Sequence, residues 1–356
     1  MASAPFALPD WPRAHGAPLA DVQLRAAPED FRVTEELGFA ASGEGEHDLL
    51  HVRKTNANTE WVARQLARHA GVAVRDVGYS GLKDRLAVAT QYFSVRRPTG
   101  AGTDWGDFEA EGVHLLEVAR HHRKLRRGSH AANRFRIVAR CRDAAAIAGP
   151  VAARWSTLAA TGVPNYFGPQ RFGHDGTTVR LALDLFAGRR LRREDRSLAL
   201  SAARSLLFNR ILAERVASGS WNRLLPGERV NLDGSGSVFT ADALTAELED
   251  RCARLDLHPT GSLWGEGAPL GHGAVAALEK TAVATDATLA TGLGRLRVAA
   301  GHRPLRVRLD DAKLGLVDDA LVFEFRLPPG AFATSVLREI VSFRQGDARG
   351  AGVSSP

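Results

Sequence analysis

Residues 81–85, Gly-Leu-Lys-Asp-Arg, place one carboxylate between two cations just after a glycine turn. The ordinary reading of such an aspartate is a turn or cap residue, because its short side chain competes for local backbone N–H groups. The chemical reading is a nucleophile. Lys83 and Arg85 favour a charged Asp84, and an ionised carboxylate can add to a sugar carbon, as in retaining glycosidases. A second concentration of reactive residue types is the stretch 120–136, RHHRKLRRGSHAANRFR, with seven Arg or Lys, three His and no acid. Cations that neutralise phosphates release counterions, so this stretch suits a salt-sensitive contact with a nucleic-acid backbone, the bland alternative being a solvated face. Inside it, Asn133 and Phe135 are spaced to share one side of a strand, offering an amide for base edges and a ring for stacking. His121, His122 and His130 could ligate a metal in principle. Adjacent histidines on a strand face opposite ways, however, and no acid is near, so no metal is expected.

Those residues need a scaffold, and the sequence outlines one. Phe31 and Val33 alternate with polar neighbours over 30–37 as in a half-exposed strand, and residues 49–52 form a second strand-like run. Trp61, Val62, Leu66 and Ala70 make an apolar helical stripe that Asn58 or Thr59 can cap and Gly71 can stop. A turn at 78–81 and a β-branched, aromatic run at 90–95 leave Lys83 and Asp84 on a loop. Residues 98–107 read as a surface connection, residues 113–118 and 135–138 as strands, and residues 198–216 as a long amphipathic helix ended by Gly219. From there to about residue 305 the chain is rich in Gly, Ala and small turns, and a Gly-Ser-Pro tail from Gly350 is expected to be disordered.

Composition narrows the function classes. The 356 residues carry 47 Lys plus Arg against 40 Asp plus Glu, a formal charge of +7 that favours polyanionic partners. At roughly 150 residues per domain the length suits two or three domains, and 44% hydrophobic residues suffice for each to bury a core. Cys141 and Cys252 are the only cysteines, which excludes a disulfide framework and a Cys-rich zinc module and fits a reducing, cytoplasmic compartment. No apolar run approaches the roughly 18 to 20 residues that span a bilayer, and residues 1–20 lack a signal-peptide pattern, so neither membrane nor export is expected. The phosphate-loop, His-Glu-x-x-His and Gly-x-Ser-x-Gly signatures are absent.

Several blocks, taken in order, resemble the tRNA pseudouridine synthase D (TruD) family along nearly the whole chain. They are residues 28–31, 43–58 (GEGEHDLLHVRKTNAN), 78–91 (GYSGLKDRLAVATQ), 124–135 (KLRRGSHAANRF), 163–173 (VPNYFGPQRFG), 200–209 (LSAARSLLFN) and 328–339. The resemblance implies an α+β fold: a V-shaped, two-lobed molecule whose mixed-sheet catalytic domain (1–158 and 304–356) is interrupted by an inserted α/β domain (159–303). RNA would lie between the lobes. The implied reaction turns a uridine of tRNA, typically uridine-13, into pseudouridine without cofactor or metal. Asp84 falls on the family's catalytic aspartate. Phe31, Asn133 and Phe332 fall on residues that contact the flipped-out nucleotide, and Phe135 packs its base. Extruding a stacked base costs a few kcal/mol, which such a pocket must offset. Lys83, Arg85, Lys124, Arg126, Arg127 and Arg171 are the candidates for the RNA backbone, with Arg189, Arg190, Arg192 and Arg193 beside them. The expected partner is tRNA alone, bound by a monomer with no protein partner.

Two positions depart from the family pattern. Ala132 stands where glycine is usual, and if the backbone there needs φ > 0 its methyl would cost about 1 kcal/mol. Arg25 replaces a lysine near the active site, a change that preserves an electrostatic role but not proton transfer. Two rival functions follow from the same residues: a non-catalytic RNA-binding protein, and a glycosidase or nucleosidase whose second acid would come from Glu35, Glu36, Glu44 or Glu46.

Overall fold

Period-2 burial marks the strands that carry the candidate residues. In the strand Phe31–Glu36, Phe31, Val33 and Glu35 are buried while Arg32 and Thr34 face solvent. In His47–Thr55, Leu50, Val52 and Lys54 share the buried phase and Arg53 is exposed. Each of these inward faces thus ends on an ionisable side chain.

The structure is a computed structural model and describes residues 6–97 and 102–345; the tail expected beyond Gly350 lies outside the described residues. In chain order the elements begin with β1 (Asp21–Leu24), β2 (Phe31–Glu36), β3 (His47–Thr55), α1 (Thr59–His69), β4 (Val77–Tyr79), β5 (Val88–Arg96), β6 (Val113–His121), β7 (Ala132–Arg140) and α2 (Ala144–Thr161). They continue with β8 (Val163–Pro164), α3 (Thr177–Phe186), α4 (Arg193–Ala217), β9 (Glu228–Leu232), β10 (Val238–Ala241), α5 (Ala246–Ala253) and β11 (Leu257–Leu263). The last are α6 (Gly273–Val283), α7 (Ala287–Arg295), β12 (Gly301–Pro304), β13 (Arg306–Val307), β14 (Asp310–Val317), β15 (Ala320–Leu327), α8 (Ala333–Leu337) and β16 (Ser342–Gln345).

The chain forms two compact units. One, the sheet unit, takes the described residues of Leu19–Trp155, Asp310–Gly330 and 341–345. Its ten-stranded sheet has the order β14-β15-β7-β2-β5-β3-β6, with β1 pairing β7 and β16, and β4 pairing β5. The sheet is mixed: β2 runs parallel to β5 and β1 parallel to β16, and the other pairs are antiparallel. Helix α1 packs Val62 and Leu66 onto Leu50, Val52, Phe93 and Val95. Each such aliphatic side chain contributes about 1.5–3 kcal/mol by leaving water. Gly71, at φ +65, supplies the left-handed residue that ends the helix.

The other, the helical unit, takes the chain up to Pro18, Ser156–Leu309 and Ala331–Ile340, so the boundary falls inside α2. Its centre is α4, whose Ala199, Ala202, Leu206, Leu207 and Ile211 are buried with Phe167, Phe172 and Trp264. The helix expected over 198–216 is thus present and five residues longer at its start. The unit also holds a four-stranded sheet, β10-β9-β11-β12, and the two-stranded pair β13-β8.

Candidate active site

Asp84 stands on the loop that leads from β4 into β5, with its side chain 45% exposed. Its Oδ2 pairs with Nη2 of Arg25. Arg25 follows β1 with φ +57, a left-handed conformation that costs a non-glycine residue about 1 kcal/mol and that here turns the chain at the strand's end. Its guanidinium lies 4.1 Å from the centroid of the Phe31 ring, so one side chain covers the aromatic face and holds the carboxylate.

The main chain of this loop is bonded from behind. Thr59 Oγ1, in the first turn of α1, accepts from the Lys83 amide at 3.0 Å and donates to Gln91 Oε1 at 2.9 Å. Gln91 Nε2 in turn donates to the Gly81 carbonyl at 3.3 Å. The Gly128 amide donates to the Ser80 carbonyl at 2.7 Å, and the hydroxyls of Ser80 and Ser129 lie 2.9 Å apart, tying the loop to the basic segment between β6 and β7. Lys54, with no exposed surface, donates from Nζ to the carbonyls of Ala57 (2.7 Å), Asp84 (2.9 Å) and Lys83 (3.3 Å). Burial lowers its pKa to about 8; the Asp84 charge opposes that shift and the Lys83 charge adds to it.

Lys83 turns inward while Asp84 turns outward. The Lys83 ammonium sits 2.8 Å from Glu35 Oε2 and donates to Asn133 Oδ1 at 2.5 Å. An ammonium can only donate, so it fixes the Asn133 oxygen towards itself and turns Nδ2 towards His130 Nε2, 3.0 Å away. That nitrogen must therefore be the unprotonated one, which puts the imidazole proton on Nδ1, a buried atom without a hydrogen-bond partner among the described residues. Burial and the Lys83 charge lower the His130 pKa to about 4, so the ring is neutral at pH 7. Glu35 and Asn133 face one another across the β2–β7 ladder, which brings the network to one spot on the sheet.

Among the remaining expected residues, Phe31 and Phe135 are buried on the same face of β2 and β7, their rings edge-on at 6.1 Å, with Phe135 stacked on Phe325 at 5.4 Å. Phe332 belongs to the helical unit, where its ring meets Phe167 edge-on at 6.0 Å. Arg171 is in that unit too, half-buried against Phe167 and bonded to Ser201 Oγ at 3.2 Å. Arg85, Lys124, Arg126 and Arg127 are exposed, the last stacked 4.3 Å from the Tyr79 ring centroid. Arg190, Arg192 and Arg193 are exposed as well, and Arg189 pairs with Asp184 at 2.7 Å.

Four expectations change. Lys83 offers nothing to a phosphate, because its ammonium is engaged inside the unit by Glu35 and Asn133. Ala132 lies in β7 opposite Glu36, extended backbone that any residue adopts, and the left-handed residue near the site is Arg25 instead. His121 and His122 do not diverge: strand alternation stops at His121, the last residue of β6, and the two rings come within 4.7 Å. Glu35, fully buried and paired with Lys83, is removed as a candidate for a second catalytic acid, and Glu36 is paired with Arg134 and Arg326.

Lys54 was absent from the expected set, and the pairing of Lys83 with Glu35 was not foreseen. Their signal was phase: Lys54 continues the buried series of Leu50 and Val52, and Glu35 that of Phe31 and Val33. A concavity of about 670 Å³ elsewhere in the sheet unit is lined by four arginines and four acids, including the Arg140–Asp30 pair, so it carries no net charge to attract a polyanion. Among the described residues no cluster of His, Cys, Asp or Glu is arranged to hold a metal, and no helix is long and apolar enough to cross a membrane.

A family model described as tRNA pseudouridine synthase D (TruD) matches residues 14–189 and 186–340. The tRNA pseudouridine synthase D of Methylococcus capsulatus is 49% identical over 337 residues, covering 94% of this chain and 95% of that protein. That of Chromohalobacter salexigens is 44% identical over 345 residues, covering 96% and 99%. The crystal structure of a Methanosarcina mazei chain assigned to tRNA pseudouridine synthase D superposes with a TM-score of 0.70 at 20% identity, covering 93% of this chain and 95% of that one, a likeness of fold. The agreement in fold, in length and in the ordered sequence blocks has one conclusion: the chain belongs to the tRNA pseudouridine synthase D family.

Proposed function

We propose that this chain isomerises uridine to pseudouridine in tRNA, at position 13, with Asp84 as the catalytic group. The observation that carries this reading is a half-exposed carboxylate on a loop whose main chain is bonded by Lys54, Thr59 and Gln91, beside an exposed basic segment. A flexible acid would have to be ordered at each turnover, whereas a fixed one contributes proximity and orientation directly.

The chemistry balances within the substrate. The bond from C1′ to N1 breaks, the base rotates, C1′ bonds to C5, and the proton lost from C5 is matched by one gained at N1. No electrons are exchanged with another molecule. Asp84 acts on the ribose, either by adding to C1′ or by assisting departure of the base to a glycal. Arg25 holds Oδ2, leaving Oδ1 to face the sugar. The uridine must leave its stack to reach this carboxylate, and Arg126, Arg127, Lys124 and Arg85 supply backbone contacts that offset the cost. Phe31, Asn133 and Phe135 serve the base, with the Arg25 guanidinium lying over the Phe31 ring. For Phe332 and Arg171 the proposal rests on the family resemblance.

The test is to incubate the protein with unmodified tRNA transcripts, without added metal or nucleotide, and to map pseudouridine base by base. Pseudouridine at position 13 is the expected product. A released base would indicate a nucleosidase, and unchanged RNA a binding protein.

A further inference from the structure

We propose that Lys54 is the positioning residue for the catalytic loop, holding Asp84 through the three main-chain carbonyls that its ammonium binds. The inference rests on the reading of Asp84 as the reacting group and goes beyond it, because Lys54 touches neither the Asp84 carboxylate nor any substrate.

A charged lysine has three N–H donors and no acceptor. Lys54 directs them at the carbonyls of Ala57, Lys83 and Asp84, which come from two separate segments: the chain leading into α1 and the loop after β4. Fully protonated, it clamps the two segments together. After losing a proton it has two donors for three carbonyls and turns a lone pair towards the third, so the clamp weakens on the side that holds Asp84. With no exposed surface, the Lys54 amine itself cannot turn to solvent for a replacement partner.

The surroundings supply little that could substitute. The cross-strand neighbours of Lys54 are Ala89 on β5 and Val113 on β6, both neutral. The charged groups acting on it are Asp84, which favours the ammonium, and Lys83, which opposes it. Lys83 is itself held by Glu35 and Asn133. Burial sets the titration of Lys54 near pH 8, close to neutrality rather than far above it.

The experiment measures single-turnover rate and tRNA affinity across pH 6.5 to about 9.5 for the wild type, Lys54→Met and Asp84→Ala. The wild-type rate is expected to fall roughly 10- to 100-fold on the alkaline side, with a midpoint near 8, while affinity changes little, because a misplacement of about an ångström at the reacting group costs that much. Lys54→Met, neutral and of similar length, should show the low rate throughout and converge with the wild type at high pH. Loss of the substrate's own N3 proton would lower both proteins alike, so the convergence isolates Lys54. A wild-type rate flat to the top of the range overturns the inference, as does a folded Lys54→Met with a wild-type rate. Should Lys54→Met fail to fold, by circular dichroism and tRNA binding, the wild-type profile decides alone. If Asp84→Ala makes pseudouridine, it is the reading of Asp84 that fails; if Asp84→Ala is inactive and the other two proteins match, only the role of Lys54 fails.

Discussion

The Arg25 guanidinium and the Asp84 carboxylate, 59 positions apart in the chain, form an ion pair in which only the acid is open: the arginine side chain is 7% exposed and the aspartate 45%. The cation is fixed on the Phe31 ring, so it aims the carboxylate as well as neutralising it. Removing the two partners should therefore have different effects.

Asp84→Asn preserves shape and surface while deleting the reacting charge. Turnover should disappear and tRNA affinity should stay within a few-fold, read by single-turnover assay and filter binding. Pseudouridine formation by purified Asp84→Ala would falsify the assignment.

Arg25→Ala removes both the pairing charge and the cover over Phe31. A rate loss of roughly 10- to 100-fold is expected, of the size seen when one preorganised charged partner is deleted. Arg25→Lys, which keeps the charge, should recover most of it. Equal defects in the two variants would mean that ring stacking, and not charge, is what Arg25 supplies.

Arg126→Ala should weaken binding to every tRNA alike and reduce the salt slope of log K by about 0.7 to 0.9 for each phosphate left without its cation. Titrations at several salt concentrations give the slope. An unchanged slope would place the 122–129 segment away from the RNA.

His130 makes stability depend on pH in a defined direction. Its folded pKa, about 4, lies below the 6.5 of the free side chain, so between those values the unfolded chain binds the extra proton. Stability is retained above pH 6.5 and lost as the pH falls from there towards 4. From pH 7 to pH 5 this one group should lower the unfolding free energy by about 2 kcal/mol. Denaturant unfolding of the wild type and His130→Gln at both pH values measures it, and the two proteins should differ in that increment. If the loss is the same in both, the acid sensitivity originates elsewhere.

Much of the sheet unit was legible because its strands carry alternating or β-branched and aromatic runs. Phe31 and Val33, Leu49 to Val52, the β-branched run before Arg96 and the pair Asn133 and Phe135 each signalled a strand that is present, and the stripe from Trp61 to Ala70 signalled α1. Two helices were harder to read. Helix α2 is nearly apolar all round its first turns, AAAIAGPVAA, so it shows no amphipathic stripe, and α7 contains two glycines. Small side chains bury well but leave little periodic contrast.

At the site, the loop position of Asp84 and the exposure of the basic segment followed from local sequence. The inward course of Lys83 did not, since it depends on Glu35 and Asn133, 48 and 50 positions away. Extending the strand phases by two residues, from Val33 to Glu35 and from Val52 to Lys54, would have revealed two buried ions in need of partners.

Lys83 and Asp84 are consecutive, one committed to an interior anion and the other to the outside. Deleting a single residue just before them would press a carboxylate against Glu35, and adding one would leave an ammonium where an acid is required. The span from Gly81 to Val88 is therefore expected to be rigid in length across descendants of this gene, and evolutionary tuning of RNA choice should instead accumulate in the stretch 122–129, whose side chains point largely into water.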